Sequence, residues 1–437
     1  MSEWALACVL IICPKSRWII QEWGHEPVTV DCETSKVNQS ARTTKYARRL
    51  TNLPAYHSAH WAGHVESARQ KGRDVIPLYV GSPDMPPPDA VIETLRRSAG
   101  RADSHGYPGH RGTRALREAI AGYYQRRFGV VLDPETQVLP LLGSKEGIIH
   151  LSMAYLDADS LALVPDPGYA PYTRGAALSD AATYTLPLRA ENDFLPDFDA
   201  VPARVLDRAK LLWLNYPNNP TGATADLGFF ERAVAFARQK DLQKDLLICH
   251  DAPYCDVTYE GYVAPSILQV AGAGEVAVEI NSLSKTFNMA GWRIGMAVGN
   301  ADAIAALTQV KSNVDSGIFH PLQAAAVEAL ATPTSWLATR NAIYYERLAL
   351  IAGQLNEICM RCTPPIATLY AWAEIPPGWP SSEAFALALL EETGVAIAPG
   401  VFFGPAGEGY VRISATAPTV RVQEAMTRLA QFVTSAA

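Results

Sequence analysis

The stretch Asn281-Ser282-Leu283-Ser284-Lys285-Thr286-Phe287-Asn288-Met289-Ala290-Gly291-Trp292-Arg293-Ile294-Gly295 decides the reading of this chain. An apolar run from Val276 to Ile280 precedes it, and a second from Ile294 to Val298 follows. Both read as buried strands, which leaves one lysine, two serines and one arginine between them. Removing an ammonium from water is costly, so a lysine held there is expected to have chemical work. Desolvation lowers its pKa and makes it a nucleophile able to form a Schiff base.

Working outward, the same grammar recurs. Leu246 to His250 is an apolar run ending at His250-Asp251-Ala252-Pro253-Tyr254. Lys210 to Asn215 is another, ending at Asn215-Tyr216-Pro217-Asn218-Asn219-Pro220-Thr221-Gly222 and followed by a helical pattern from Asp226 to Lys240. Leu161 to Pro165 and Leu139 to Leu142 complete the set. The last run leads through Gly143-Ser144-Lys145-Glu146-Gly147 into a helix reaching Leu156. A strand, a Gly-Ser turn and a helix start offer backbone N–H groups and a positive dipole end to an anion. Near-continuous apolar strands alternating with helices predict a mostly parallel sheet covered on both faces. Binding loops in such sheets lie at the carboxyl ends of the strands, where these motifs fall. From about Asp315 the texture changes to long helical patterns, then short strands at Thr368–Ile375, Val395–Ala398 and Tyr410–Ser414. That predicts a smaller α+β domain.

Composition bounds the rest. The chain has 437 residues, of which 49% are hydrophobic and 19% charged, enough for a large core and two domains. A formal charge of −7 gives no basic field for nucleic acid. Seven scattered cysteines argue for a reducing compartment and against a disulfide framework. Cys359-Met360-Arg361-Cys362 has no second pair to complete a zinc site, so no metal is expected. The apolar run Trp4 to Cys13 is too short to span a bilayer and lacks the basic flank of a signal peptide, so a cytoplasmic protein without membrane contact is expected. Residues 1–45 read as a poorly structured extension, 46–85 as an arm contributing to the small domain, 86–314 as the large domain and 315–437 as the small one. Gln239-Lys240-Asp241-Leu242 repeats at once as Gln243-Lys244-Asp245-Leu246, a duplication expected to be tolerated on the surface.

The motifs at Asn215, Asp251 and Lys285, together with Gly409-Tyr410-Val411-Arg412-Ile413-Ser414, resemble in kind and order the class I/II aminotransferases of fold type I, which use pyridoxal 5′-phosphate. Asp251 and Lys285 stand 34 residues apart. The likeness covers residues 46–435 and implies a large, mostly parallel seven-stranded-type sheet domain with a smaller α+β domain. It implies Lys285 as the lysine that holds the cofactor and moves protons, and Asp251 as the partner of the ring nitrogen. Tyr254 and Asn219 become donors to the phenolic oxygen, and Ser144, Lys145, Ser282, Ser284 and Arg293 the phosphate cradle. Tyr169 corresponds to the aromatic stacked on the cofactor ring. Tyr107, in His105-Gly106-Tyr107-Pro108-Gly109-His110-Arg111-Gly112, corresponds to a tyrosine reaching the neighbouring subunit's phosphate, which implies a homodimer with shared active sites. Arg412 corresponds to the clamp on the substrate α-carboxylate, with Gly81 close to the same group. Taken singly, each has an ordinary reading as a turn, core or surface residue; their joint occurrence in order carries the resemblance. His110, His250, Cys249 and Cys255 keep the ordinary reading of core or loop filling.

Within the superfamily the chain looks most like LL-diaminopimelate aminotransferases, on Leu139–Gly147, Val164–Tyr169, Leu283–Arg293 and Lys311–Phe319. This implies glutamate as amino donor and tetrahydrodipicolinate as acceptor, in lysine biosynthesis. Two departures stand out. His110 and Arg111 occupy a loop where relatives carry a glutamate, which would favour a carboxylate over an ammonium at the substrate's distal end. Pro253 stands where a small residue is common. Aspartate- or alanine-type transamination therefore stays open, as does C–S lyase chemistry on the same fold. A transcription regulator of this fold would need a DNA-binding domain that residues 1–45 do not supply.

Overall fold

The computed structural model describes residues 11–12, 17–20, 28–31, 46–53, 57–239 and 246–436. The four-residue duplication lies almost wholly outside them. The chain divides into two compact units, Met1–Thr51 and Asn52–Ala437. In the first, Ile11–Ile12, Arg17–Ile20 and Val28–Asp31 pair as an antiparallel three-stranded meander, where the sequence has no sustained period.

The second unit is built on a seven-stranded sheet among the described residues. Its strands in chain order are β1 (Val138–Leu141), β2 (Leu161–Asp166), β3 (Ala182–Pro187), β4 (Ala209–Leu214), β5 (Leu247–Asp251), β6 (Ala277–Ser282) and β7 (Gly295–Gly299). Their spatial order is β1-β7-β6-β5-β4-β2-β3. β7 alone runs antiparallel, between β6 and β1. The alternating helix–strand pattern thus gave the expected mostly parallel, doubly covered sheet. Alternate residues along each strand feed the two faces. Leu211, Trp213, Cys249, Val278 and Ile280 pack with Ile148, Leu151, Tyr172 and Leu307 on one face. Leu212, Leu214, Ile248 and Ala277 pack with Phe229, Phe230 and Val234 on the other. β3 has no counterpart in the sequence reading. It is the edge strand and mostly exposed, so its side chains show no apolar run.

The C-terminal part is a three-stranded antiparallel sheet, Tyr370–Glu374, Tyr410–Ser414 and Ala398–Pro399, packed by helices Thr334–Glu357, Ser382–Thr393 and Thr419–Ala436. Ile76–Pro77 pairs in parallel with Val395–Ala396, and the Leu78 carbonyl accepts from the Ser414 N–H at 2.8 Å. Trp61 and Val65 of the His57–Gln70 helix share one core with Tyr344, Leu348 and Phe385. The early segment therefore folds against the late one, and this carries Gly81 to the mouth of the large sheet.

Candidate active site

The register of β6 and β7 closes the lysine loop at its neck. Ser282 and Gly295 are direct partners, so residues 283–294 project from the carboxyl end of β6. Ser282 caps the short Leu283–Thr286 helix by accepting from the Ser284 N–H at 3.2 Å. This turns Lys285 toward the opposite wall, where its Nζ donates to the Gly81 carbonyl oxygen. Burial lowers the Lys285 pKa from its ordinary value; Tyr370 opposes this, and the Arg412 and Arg293 cations reinforce it. Arg293 sits in the left-handed region at φ 56°, its Nη1 donating to the Ala290 carbonyl at 2.9 Å.

The start of the Ser144–Tyr155 helix adjoins this arginine. Gly143 precedes the helix at φ +87°, and a Cβ there would lie 2.2 Å from Arg293 Nη2. A Cβ on Gly295 would lie 2.8 Å from the Ser144 nitrogen and 2.9 Å from the Asn281 oxygen. The two glycines let a cation and an uncapped helix N-terminus converge.

Asp251 ends β5. Its Oδ2 accepts from the Tyr172 hydroxyl at 2.8 Å, and its backbone oxygen accepts from Asn215 Nδ2 at 2.7 Å. Its Oδ1 is buried and has no partner. Burial pushes the carboxyl up to about 6, against the hydrogen bond from Tyr172 and the field of His250, which lower it. Tyr172 is fixed in turn by stacking on Trp213, with ring centroids 4.9 Å apart.

Arg412 reaches the site from the C-terminal sheet. Its Nη1 donates to Asn219 Oδ1 at 2.7 Å and its Nη2 to the Tyr79 carbonyl at 2.8 Å, while the buried Nε has no partner. Its guanidinium carbon lies 4.1 Å from the Tyr370 ring centroid and 4.6 Å from that of Phe403. The Tyr370 and Tyr254 hydroxyls are 2.8 Å apart. Burial pushes the Tyr370 phenol up, but Lys285, Arg412 and the bond to Tyr254 outweigh it and leave it below its ordinary value.

These groups enclose a cavity of about 510 Å³. Gly81, Ser144, Lys145, Tyr169, Asn219, Asp251, Tyr254, Ser282, Ser284, Lys285, Arg293 and Arg412 all line it. Tyr107 does not: it is 91% exposed in the single chain. The sequence reading missed Tyr370, Tyr172 and the side-chain role of Asn215. Tyr172 lies three residues beyond Tyr169, inside the helix Pro171–Leu178 that Tyr169 precedes, and the two rings meet edge-on with centroids 5.8 Å apart. Tyr370 had no signal beyond its place in a strand. His110 and Arg111 are engaged within the chain. His110 Nδ1 meets the Asp315 carbonyl at 2.7 Å, and Arg111 pairs with Glu135 at 3.6 Å.

The family model for aminotransferase classes I and II matches residues 73–429. The chain belongs to the class I and II aminotransferases. It is 48% identical over 383 residues to LL-diaminopimelate aminotransferase of Moorella thermoacetica, covering 88% of this chain and 97% of that one. Among solved structures, substrate-bound BacF from Bacillus subtilis superposes with a TM-score of 0.84 at 36% identity, over 89% of this chain and 98% of BacF. A mutant aspartate aminotransferase of Thermus thermophilus superposes at 0.81 with 27% identity, over 89% and 99%.

Proposed function

We propose that this aminotransferase holds pyridoxal 5′-phosphate on Lys285 and moves the amino group of L-glutamate to a 2-oxo acid, in the direction that yields LL-diaminopimelate. The observation that carries the cofactor is the Asp251 carboxylate, whose Oδ1 is buried, unpartnered and in the same cavity as a desolvated lysine. A protonated ring nitrogen is the partner such an oxygen lacks. The Cβ-free space around Arg293 and the Ser144 helix start suits the phosphate, with Lys145, Ser282 and Ser284 completing the cradle. When bound, the cofactor supplies an electron sink conjugated to the substrate α-carbon.

The chain's own residues do the rest. Lys285 Nζ, with its pKa lowered by burial, would take the substrate's α-proton and carry it. Arg412, already fixed by Asn219 and stacked on Tyr370, binds the α-carboxylate through its remaining donor capacity. Tyr254, oriented by Tyr370, and Asn219 would donate to the cofactor's phenolic oxygen. A lobe of about 150 Å³ continues past Tyr169, Asn219 and Arg412 between Tyr79, Arg174, Phe402 and Phe403, with room for the substrate's distal end. The diaminopimelate reading rests on relatives of that name at 43–48% identity. Arg111 is paired with Glu135, which weakens the expectation that it selects a carboxylate. Exposed Tyr107 supports a homodimer in which it serves the neighbour's site. No helix among the described residues is long and apolar enough to cross a membrane. With Cys249, Cys255, Cys359 and Cys362 all free, we place the protein in the reducing cytoplasm.

The test is a half-reaction screen. The loaded enzyme is mixed with single amino acids, and conversion to the amino form of the cofactor is followed by absorbance. Glutamate and LL-diaminopimelate should both convert it and release a 2-oxo acid without ammonia. Conversion by aspartate or alanine alone would overturn the substrate assignment, and release of ammonia would favour a lyase.

A further inference from the structure

The residue before Asp251 in β5 is His250, and the register of β6 sets Glu279 directly opposite it. Both side chains are fully buried. His250 Nε2 lies 3.0 Å from the Tyr216 carbonyl oxygen, which can only accept, so Nε2 carries a proton. His250 Nδ1 lies 2.9 Å from Glu279 Oε2. Glu279 receives three further donors: the Tyr124 hydroxyl at 2.8 Å, the Ser266 hydroxyl at 2.8 Å and the Ile267 N–H at 3.2 Å. A carboxyl group supplied with this many donors is held as the carboxylate, and a carboxylate can only accept from Nδ1.

We propose that His250 is a buried imidazolium paired with the Glu279 carboxylate, and that this pair keeps Asp251 ionised, making His250 a positioning residue for the cofactor's ring nitrogen. The second half rests on the cofactor reading above; the first does not. Without the His250 charge, Glu279 and Asp251 would be two buried carboxylates on adjacent strands, each disfavouring ionisation of the other. Among the described residues no Lys or Arg hydrogen-bonds to His250 or Glu279; Phe230 packs its ring 4.6 Å from the imidazole, and the Tyr124 phenol is pushed up by burial and stays neutral. The field of His250 lowers Asp251, in the direction this role requires.

Two measurements on the full chain test the proposal. In protein labelled with ¹⁵N-histidine, with and without pyridoxal 5′-phosphate, His250 should carry protons on both ring nitrogens at neutral pH, with H250N providing the assignment. One bare ring nitrogen would overturn it. Next, H250N strands the Glu279 charge. The ring nitrogen of ¹⁵N-labelled cofactor should lose its proton, and kcat should fall roughly tenfold or more, the effect of one pKa unit. The H250N/E279Q double variant, with both charges gone, should recover most of both losses. Equal losses in the single and double variants would overturn the electrostatic role. Should H250N not fold, E279Q alone should strip one proton from His250, and retention of both would count against the proposal. Failure of the wild-type chain to take up the cofactor would instead defeat the cofactor reading and leave the histidine spectrum as the test.

Discussion

Asp251 keeps an ionisable carboxyl where water does not reach, and the apoprotein must bear the cost. Its folded pKa of about 6 stands above the ordinary carboxyl value of 3.8. Below about pH 3 the group is neutral folded or unfolded, so no penalty arises. Between pH 4 and 6 the unfolded chain ionises first and stability falls; above pH 6 the deficit is constant at about 3 kcal/mol. D251N should therefore stabilise the apoprotein by up to about 3 kcal/mol at pH 8 and leave it unchanged at about pH 3, as read by urea denaturation. An unchanged or lower stability at pH 8 would show that the carboxylate has a partner not identified in the cavity. At this scale much of the site was legible, because Lys285, Asp251, Asn219 and Arg412 each stand in a short contiguous motif. Tyr370 and His250 were not. Tyr370 matters through its contacts with Tyr254 and Arg412, which are 116 residues away and across a strand pair, respectively. His250 gains a role only from a cross-strand register that no local pattern reveals.

Elements meet at the proposed phosphate cradle with no space to spare, and glycine is what allows it. Gly143 adopts φ +87°, and its absent Cβ leaves room for Arg293 Nη2. G143A should place a side chain in a disfavoured backbone region and displace the guanidinium. One charge-assisted hydrogen bond contributes about 1.5–3 kcal/mol, so the Kd for pyridoxal 5′-phosphate should rise roughly tenfold to a hundredfold while the protein still folds. Equilibrium dialysis reads this directly, and an unchanged Kd would remove Arg293 from the phosphate site. The helices and strands around the cradle were readable from their periods and caps. Thr113 and Asp226 accept from the Leu116 and Phe229 N–H groups, as N-caps do. The edge strand β3 was not readable, because an exposed strand gives neither an apolar run nor a clean alternation.

At the scale of the whole molecule, the cavity draws on the carboxyl ends of β4, β5 and β6, on Arg412 from the C-terminal sheet and on Gly81 from the segment that folds against it. The alternation of strands and helices foretold the sheet, but not the parallel pairing of Ile76–Pro77 with Val395–Ala396 across more than three hundred residues. Tyr107, exposed in one chain, is expected to complete the partner's site. Hybrid dimers of K285A with Y107F should then regain one intact site, since the lysine of one subunit meets the tyrosine of the other. Mixing the two impaired proteins should raise activity above either alone, and no gain would place Tyr107 outside the site. The most direct measurement concerns Lys285 itself. The protein is loaded with pyridoxal 5′-phosphate, reduced with borohydride, digested and mapped by mass spectrometry. The phosphopyridoxyl group is predicted on Lys285 alone, and K285A should carry none. A label on another lysine, or none on the wild-type chain, would contradict the account.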